Sequence, residues 1–132
     1  VTGKPPLISV VDDDESVRES LPDLLRQLGF ASEAFSSAKA FLASDVLSQT
    51  SCLLLDIVMP GMSGPDLEAE LTQRRQTIPI VFITGHGENT VVPGVLARGA
   101  VGCLAKPFTE AALLDAVRDA LDRWRSGPVT AR

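Results

Sequence analysis

Asp12, Asp13, Asp56, Thr84 and Lys106 have the residue types and the spacing for chemistry on a metal ion and a phosphoryl group. Each follows a run of apolar residues. Leu7-Ile8-Ser9-Val10-Val11 leads into Asp12-Asp13-Asp14, and Cys52-Leu53-Leu54-Leu55 into Asp56. Ile80-Val81-Phe82-Ile83 leads into Thr84, and Val101-Gly102-Cys103-Leu104-Ala105 into Lys106-Pro107. Runs of this kind read as short strands of a parallel sheet buried on both faces. Open α/β sheets bind ligands at the carboxyl ends of their strands. The chain therefore delivers acids, a hydroxyl and an ammonium to one rim.

An acid closing an apolar strand, as Asp56 does, loses solvation. With Asp12 and Asp13 on a neighbouring strand, three negative charges crowd together. Either their pKa values rise or a cation sits among them. Carboxylate oxygens with no His or Cys beside them suit Mg²⁺ or Mn²⁺. Asp14 serves best as a helix N-cap. Lys106 is a salt-bridge partner for the acids and a grip for an incoming anion.

The elements that position these residues alternate between strand and helix, the pattern of an α/β fold with a parallel sheet. Strands are expected at Leu7–Val11, near Ala31–Phe35, and at Ser51–Asp56, Ile80–Thr84 and Val101–Ala105. The first helix runs from the acidic cluster to about Gln27, with Val17, Leu21, Leu24, Leu25 and Leu28 at helical spacing. Pro22 removes one of its donors and predicts a kink, and Gly29 is placed to end it. Ser36 or Ser37 caps a small helix carrying Phe41 and Leu42. Residues 57–64 form a loop, and Pro65 suits the first turn of a helix that turns Leu67 and Leu71 inward. Asn89–Arg98 reads as a weak fourth helix, because Val91, Val92 and Val95 are β-branched and Pro93-Gly94 interrupts them. Thr109 caps a last helix from Glu110 to about Arg125, with a stripe of Leu113, Leu114, Val117, Leu121 and Trp124. Residues 126–132 read as a flexible tail or the start of a linker.

The chain has 132 residues, which predicts one domain with a real core, bounded here at 4–125. A net charge of −5 argues against nucleic-acid binding by this segment. Cys52 and Cys103 lie in apolar runs and read as buried thiols, neither a disulfide nor a zinc site. There is no span-length apolar stretch and no signal peptide, so the chain reads as cytoplasmic.

Val10-Val11-Asp12-Asp13, Leu54-Leu55-Asp56-Ile57-Val58-Met59-Pro60-Gly61-Met62-Ser63-Gly64, Phe82-Ile83-Thr84-Gly85-His86-Gly87 and Ala105-Lys106-Pro107-Phe108 closely resemble receiver domains of two-component response regulators. The resemblance covers roughly Lys4 to Arg125. Thr84-Gly85-His86-Gly87 with Gly99-Ala100-Val101 is most similar to the FixJ class, whose members usually carry a C-terminal LuxR-type helix-turn-helix domain. The resemblance implies a doubly wound, flavodoxin-like (CheY-like) (βα)5 fold with strand order 2-1-3-4-5. It also implies roles. Asp56 is the phospho-acceptor for a histidine kinase phosphohistidine. Asp13 and Asp12 hold Mg²⁺ with Asp56 and the backbone carbonyl of Val58. Lys106 contacts the phosphoryl oxygens, its bond to Pro107 often being cis, and Thr84 is the switch hydroxyl. The face made by the fourth helix, the fifth strand and the last helix carries the output, either a homodimer or a DNA-binding domain C-terminal to this segment. Such a domain phosphorylates and dephosphorylates itself but is not a turnover enzyme.

The pattern departs from the family at one switch position. Receivers usually place Tyr or Phe three residues before the lysine, and here Cys103 stands there. Either transmission runs through Thr84 and the loop, or the output is weak, or Cys103 is simply buried and Phe82 or Leu104 fills the space. A pseudo-receiver acting only as a binding module is the alternative that Cys103 keeps alive. A Mg²⁺-dependent phosphohydrolase using Asp56 is disfavoured, because Val58 stands where such enzymes carry a second acid. A flavodoxin-like cofactor binder would need a phosphate loop after the first strand, where this chain has acids. His86, the sole histidine, reads as a loop residue.

Overall fold

The computed structural model describes residues 5–57, 59, 61–84, 102–106 and 108–130, with side chains as far as Asp122. The strands are β1 (Leu7–Val11), β2 (Ala31–Phe35), β3 (Thr50–Asp56), β4 (Ile80–Thr84) and β5 (Gly102–Ala105). The helices are α1 (Glu15–Gln27), α2 (Ala38–Leu42), α3 (Gly64–Gln73) and a last helix, Glu110–Thr130. All five strands are parallel and pair in the order β2-β1-β3-β4-β5. This is the doubly wound order expected from the resemblance. It places β1 beside β3 and β4 beside β5, which is what brings the strand ends together. The predicted fourth helix lies outside the described residues, with His86, Val91, Val92, Pro93, Gly94 and Val95. So do Val58, Pro107 and Val101.

Strand alternation sends side chains to two layers. Ile8, Val10, Cys52, Leu54, Val81, Ile83 and Leu104 face α1 and the last helix, where Leu21, Leu25, Leu113, Val117 and Ala120 complete a buried cluster. Val11, Leu53, Leu55, Ile80 and Phe82 face α2 and α3, joined by Phe41, Leu67 and Leu71. The buried hydroxyls of Ser9, Ser32 and Thr50 on the first three strands are paired. Ser9 Oγ lies 2.7 Å from Thr50 Oγ1, and Thr50 donates to the Val46 carbonyl at 2.8 Å.

The helix ends follow local chemistry. Asp14 caps α1, accepting from the Ser16 N–H at 2.9 Å. Ser37, rather than Ser36, caps α2. Ser63 and Asp66 form a reciprocal capping box at the start of α3. Thr109 Oγ1 accepts from Ala112 N–H at 3.0 Å. Helix α1 runs unbroken across the buried Pro22. It ends with Leu28 as C-cap and Gly29 beyond it at φ +103, where Phe30 N–H reaches Leu25 O and Gly29 N–H reaches Arg26 O. Such paired bonds define a Schellman motif, which favours glycine at that place.

Two boundaries and the burial of one cysteine differ from the sequence expectations. β3 begins at Thr50, one residue early, because that residue pairs with Leu7 across a register shift. The last helix continues past Arg125 to Thr130, so residues 126–130 of the expected tail are helical. Cys103 is half-buried rather than buried, since β5 is the end strand of the sheet. No helix among the described residues is long and apolar enough to cross a membrane.

Candidate functional site

The carboxyl end of β1 supplies Asp12 and Asp13. Asp12 is fully buried, whereas Asp13 is exposed. The backbone holds Asp12 on two sides: its N–H donates to the Phe35 carbonyl at 3.1 Å, and Arg18 Nη1 donates to its carbonyl at 3.1 Å. Its Oδ1 accepts the Asp14 N–H at 2.9 Å. Because Asp14 provides the helix cap, Asp12 and Asp13 are left for other work.

Asp56 closes β3 and is 6% exposed. The parallel ladder continues one residue beyond it, where Ile57 N–H donates to Ile83 O at 3.1 Å. Carboxylate oxygens of Asp12, Asp13 and Asp56 lie within 4.8 Å of one another. Burial first, and then the charge of Asp12, push the Asp56 carboxyl up to about 7, against the pull of Lys106 and with further raising by hydrogen bonds to Asp13 and Asp12. The crowding expected from the sequence is thus felt as a raised pKa at Asp56.

Lys106 follows β5, and its N–H donates to the Thr84 carbonyl at 2.8 Å. Its Nζ stands 3.3 Å from Asp12 Oδ2. Burial works against the ammonium, but the charges of Asp12 and Asp56 outweigh it and raise its pKa. Thr84 ends β4, is buried, and pairs in register with Ala105.

Asp12 Oδ2 is buried and, among the described residues, has only the Lys106 ammonium at 3.3 Å beside it, with no well-formed hydrogen bond. A buried carboxylate oxygen left in this way is an unfilled acceptor in a group of hard oxygen donors. The donor set fits Mg²⁺ or Mn²⁺.

Gly64 was not singled out from sequence as a site residue. A Cβ added there would lie 2.5 Å from the Asp56 carbonyl oxygen and 3.0 Å from Phe82 Cε1. The start of α3 therefore packs directly on the Asp56 backbone, and Gly64 N–H donates to Ile57 O at 2.9 Å. The Ser63-Gly64-Pro65 run marked a helix start but not this close approach. The contact of Arg18 with Asp12 left no mark in the sequence. Cys103 shares the α3-side face of the sheet with Phe82, its register neighbour, while Leu104 points to the opposite layer. Leu104 therefore does not fill space beside Cys103.

A five-stranded parallel sheet with this acid cluster and lysine at its carboxyl ends is the architecture of a receiver domain. A sequence model described as "Response regulator receiver domain" matches residues 8–118. The chain belongs to that family, and its relatives place it in the FixJ-like class of two-component response regulators. Nodulation protein W of Bradyrhizobium diazoefficiens is 45% identical over 119 residues, covering 90% of this chain and 52% of that protein. Transcriptional regulatory protein FixJ of Azorhizobium caulinodans is 40% identical over 116 residues, covering 88% and 55%. Among solved structures, response regulator StyR superposes with a TM-score of 0.86 at 45% identity, covering 96% of this chain and 64% of that one. The structure titled FixJ-N gives 0.81 at 35% identity, covering 90% and 95%. The chain spans about half the length of the curated relatives it matches.

Proposed function

We propose that this chain is a phosphorylation-switched receiver in which Asp56 accepts a phosphoryl group from the phosphohistidine of a cognate histidine kinase. The observation that carries this reading is the buried Asp56 carboxyl, raised to about 7 and grouped with Asp12 and Asp13. A carboxylate oxygen of Asp56 attacks phosphorus in line. The new O–P bond forms as the P–N bond to imidazole breaks, and the imidazole nitrogen leaves with the electron pair.

Asp12, Asp13, Asp56 and the Val58 carbonyl would hold Mg²⁺, with Mn²⁺ as a substitute. When bound, the ion favours the ionised acid and offsets charge on the phosphoryl oxygens. Lys106 exchanges its contact with Asp12 for one with the phosphoryl group. Thr84 donates its hydroxyl to the acyl phosphate in a charge-assisted hydrogen bond. That shift biases the face made by the segment after β4, by β5 and by the last helix.

The receiver unit spans residues 4–125. Its output is a phosphorylation-dependent homodimer or a DNA-binding domain C-terminal to it. The relatives named as transcriptional regulators, and their greater length, support that reading. The chain acts in the cytoplasm and turns over no external substrate beyond its own phosphorylation and dephosphorylation.

Incubation with acetyl phosphate and Mg²⁺, followed by intact mass measurement, tests the proposal. One phosphate adduct is expected, absent in Asp56→Ala and lost on chelation. No adduct in the parent chain refutes it. Sustained rapid release of phosphate would instead favour a hydrolase.

A further inference from the structure

The Phe82 ring lies against the backbone where the chain enters α3 after the Asp56 turn. Phe82 is fully buried in the middle of β4, with Leu55 of β3 and Cys103 of β5 as register neighbours. Alternation along the strand places it on the same face as Thr84. On that face its ring reaches the start of α3, since Cε1 lies 3.0 Å from where a Gly64 Cβ would stand. The same point is 2.5 Å from the Asp56 carbonyl oxygen. The Gly64 backbone is thus held between the Asp56 main chain and the Phe82 ring. On the other flank, the smaller Cys103 packs against the same layer and is half-buried. A large side chain on β4 beside a small one on β5 keeps the layer filled.

We propose that Phe82 is a positioning residue that couples the turn after Asp56 to the β5 edge, through Gly64 on one side and Cys103 on the other. A core packed without voids transmits displacement. When the turn moves, the ring moves, and the packing around Cys103 changes. No aromatic residue on β5 is needed for this relay. The trigger rests on the phospho-acceptor reading, but the packing relation does not.

The Cys103 thiol reports on the relay. Cys52 is fully buried, and burial pushes its thiol up to about 12, so a soluble disulfide reagent near neutral pH reads Cys103. A Cys103→Ser chain sets the blank. F82L is compared with F41L, which makes the same volume change at another fully buried phenylalanine of that layer. F82M replaces F82L if circular dichroism shows that F82L has not folded. In metal-free buffer, F82L raises Cys103 labelling several-fold over the parent and F41L does not. With acetyl phosphate and Mg²⁺, labelling of the parent changes several-fold, whereas F82L forms the adduct without a labelling response. A parent that forms the adduct with unchanged labelling overturns the coupling, as does an F82L chain that still responds. Absence of the adduct in the parent refutes the phospho-acceptor reading instead. The metal-free comparison then decides the packing relation alone, and equal labelling of F82L and F41L overturns it.

Discussion

The Lys106 ammonium lies 3.3 Å from the buried Oδ2 of Asp12, a carboxylate oxygen with no well-formed hydrogen bond among the described residues. The lysine partly offsets a negative charge that the fold has taken out of water. Half-burial of Lys106 limits what the pair contributes, since its own desolvation opposes the attraction.

Replacing Lys106 by Met leaves Asp12 buried without that cation. The variant should unfold in urea with a loss of about 1–3 kcal/mol in metal-free buffer. Mg²⁺ should restore part of the loss by supplying another positive charge. An unchanged urea midpoint would show that Asp12 is compensated some other way.

Asp56 sets a pH dependence with a definite sign. Its folded pKa, about 7, lies above the ordinary value of 3.8. The folded state therefore binds a proton that the unfolded chain has released, and stability falls as pH rises through this window. Above the folded pKa the difference stays constant. Asp56→Asn removes the term, so in chelator near pH 8 the variant should be more stable by about 1–3 kcal/mol. The difference should vanish toward about pH 4. Adding Mg²⁺ should raise the thermal midpoint of the parent more than that of the variant. Thermal unfolding across pH, with and without Mg²⁺, checks both statements.

Gly64 faces backbone rather than a pliable side chain. Because a methyl group there meets the Asp56 carbonyl oxygen at 2.5 Å, Gly64→Ala must displace α3 or the turn after β3. We expect a loss above about 2 kcal/mol in chemical denaturation. The acetyl phosphate adduct should form more slowly, because the same displacement moves Asp56. A silent substitution would mean that the turn yields without cost.

Arg75 shows the same helix-ending geometry as Gly29 with an unfavourable residue in it. Its φ is +61, and the Gln76 N–H to Leu71 O bond at 2.9 Å repeats the Schellman pattern of Phe30 and Leu25. A left-handed conformation costs a residue with a Cβ roughly 1–2 kcal/mol, offset in part by the unfolded-state entropy of glycine. Arg75→Gly should therefore stabilise the fold by about 0.5–1 kcal/mol, measured as a higher urea midpoint. It should leave phosphorylation unchanged, because the position lies at the far end of α3 from Asp56.

Much of this molecule is written in local pattern. The apolar runs set the strands to within a residue, because five-residue stretches buried on both faces have few alternatives. Ser63, Thr109 and Asp14 announce the helix starts, since a hydroxyl or carboxylate at the N-cap satisfies a backbone donor within a few residues. The strand-end residues were legible for the same reason: polar groups interrupting an apolar run have no place but a rim.

What the sequence by itself determined is therefore the kind of element at each place and the chemical types at the strand ends. Only the tertiary structure decided how those groups act on one another. Pairing of β1 with β3 brings Asp12 near Asp56, and β5 beside β4 carries Lys106 back to Asp12. The raised pKa of Asp56, the unfilled oxygen of Asp12 and the glycine pinned between Asp56 and Phe82 all follow from that placement. Burial, electrostatic work and steric exclusion depend on distances between residues far apart in the chain, and a local pattern carries no such distances.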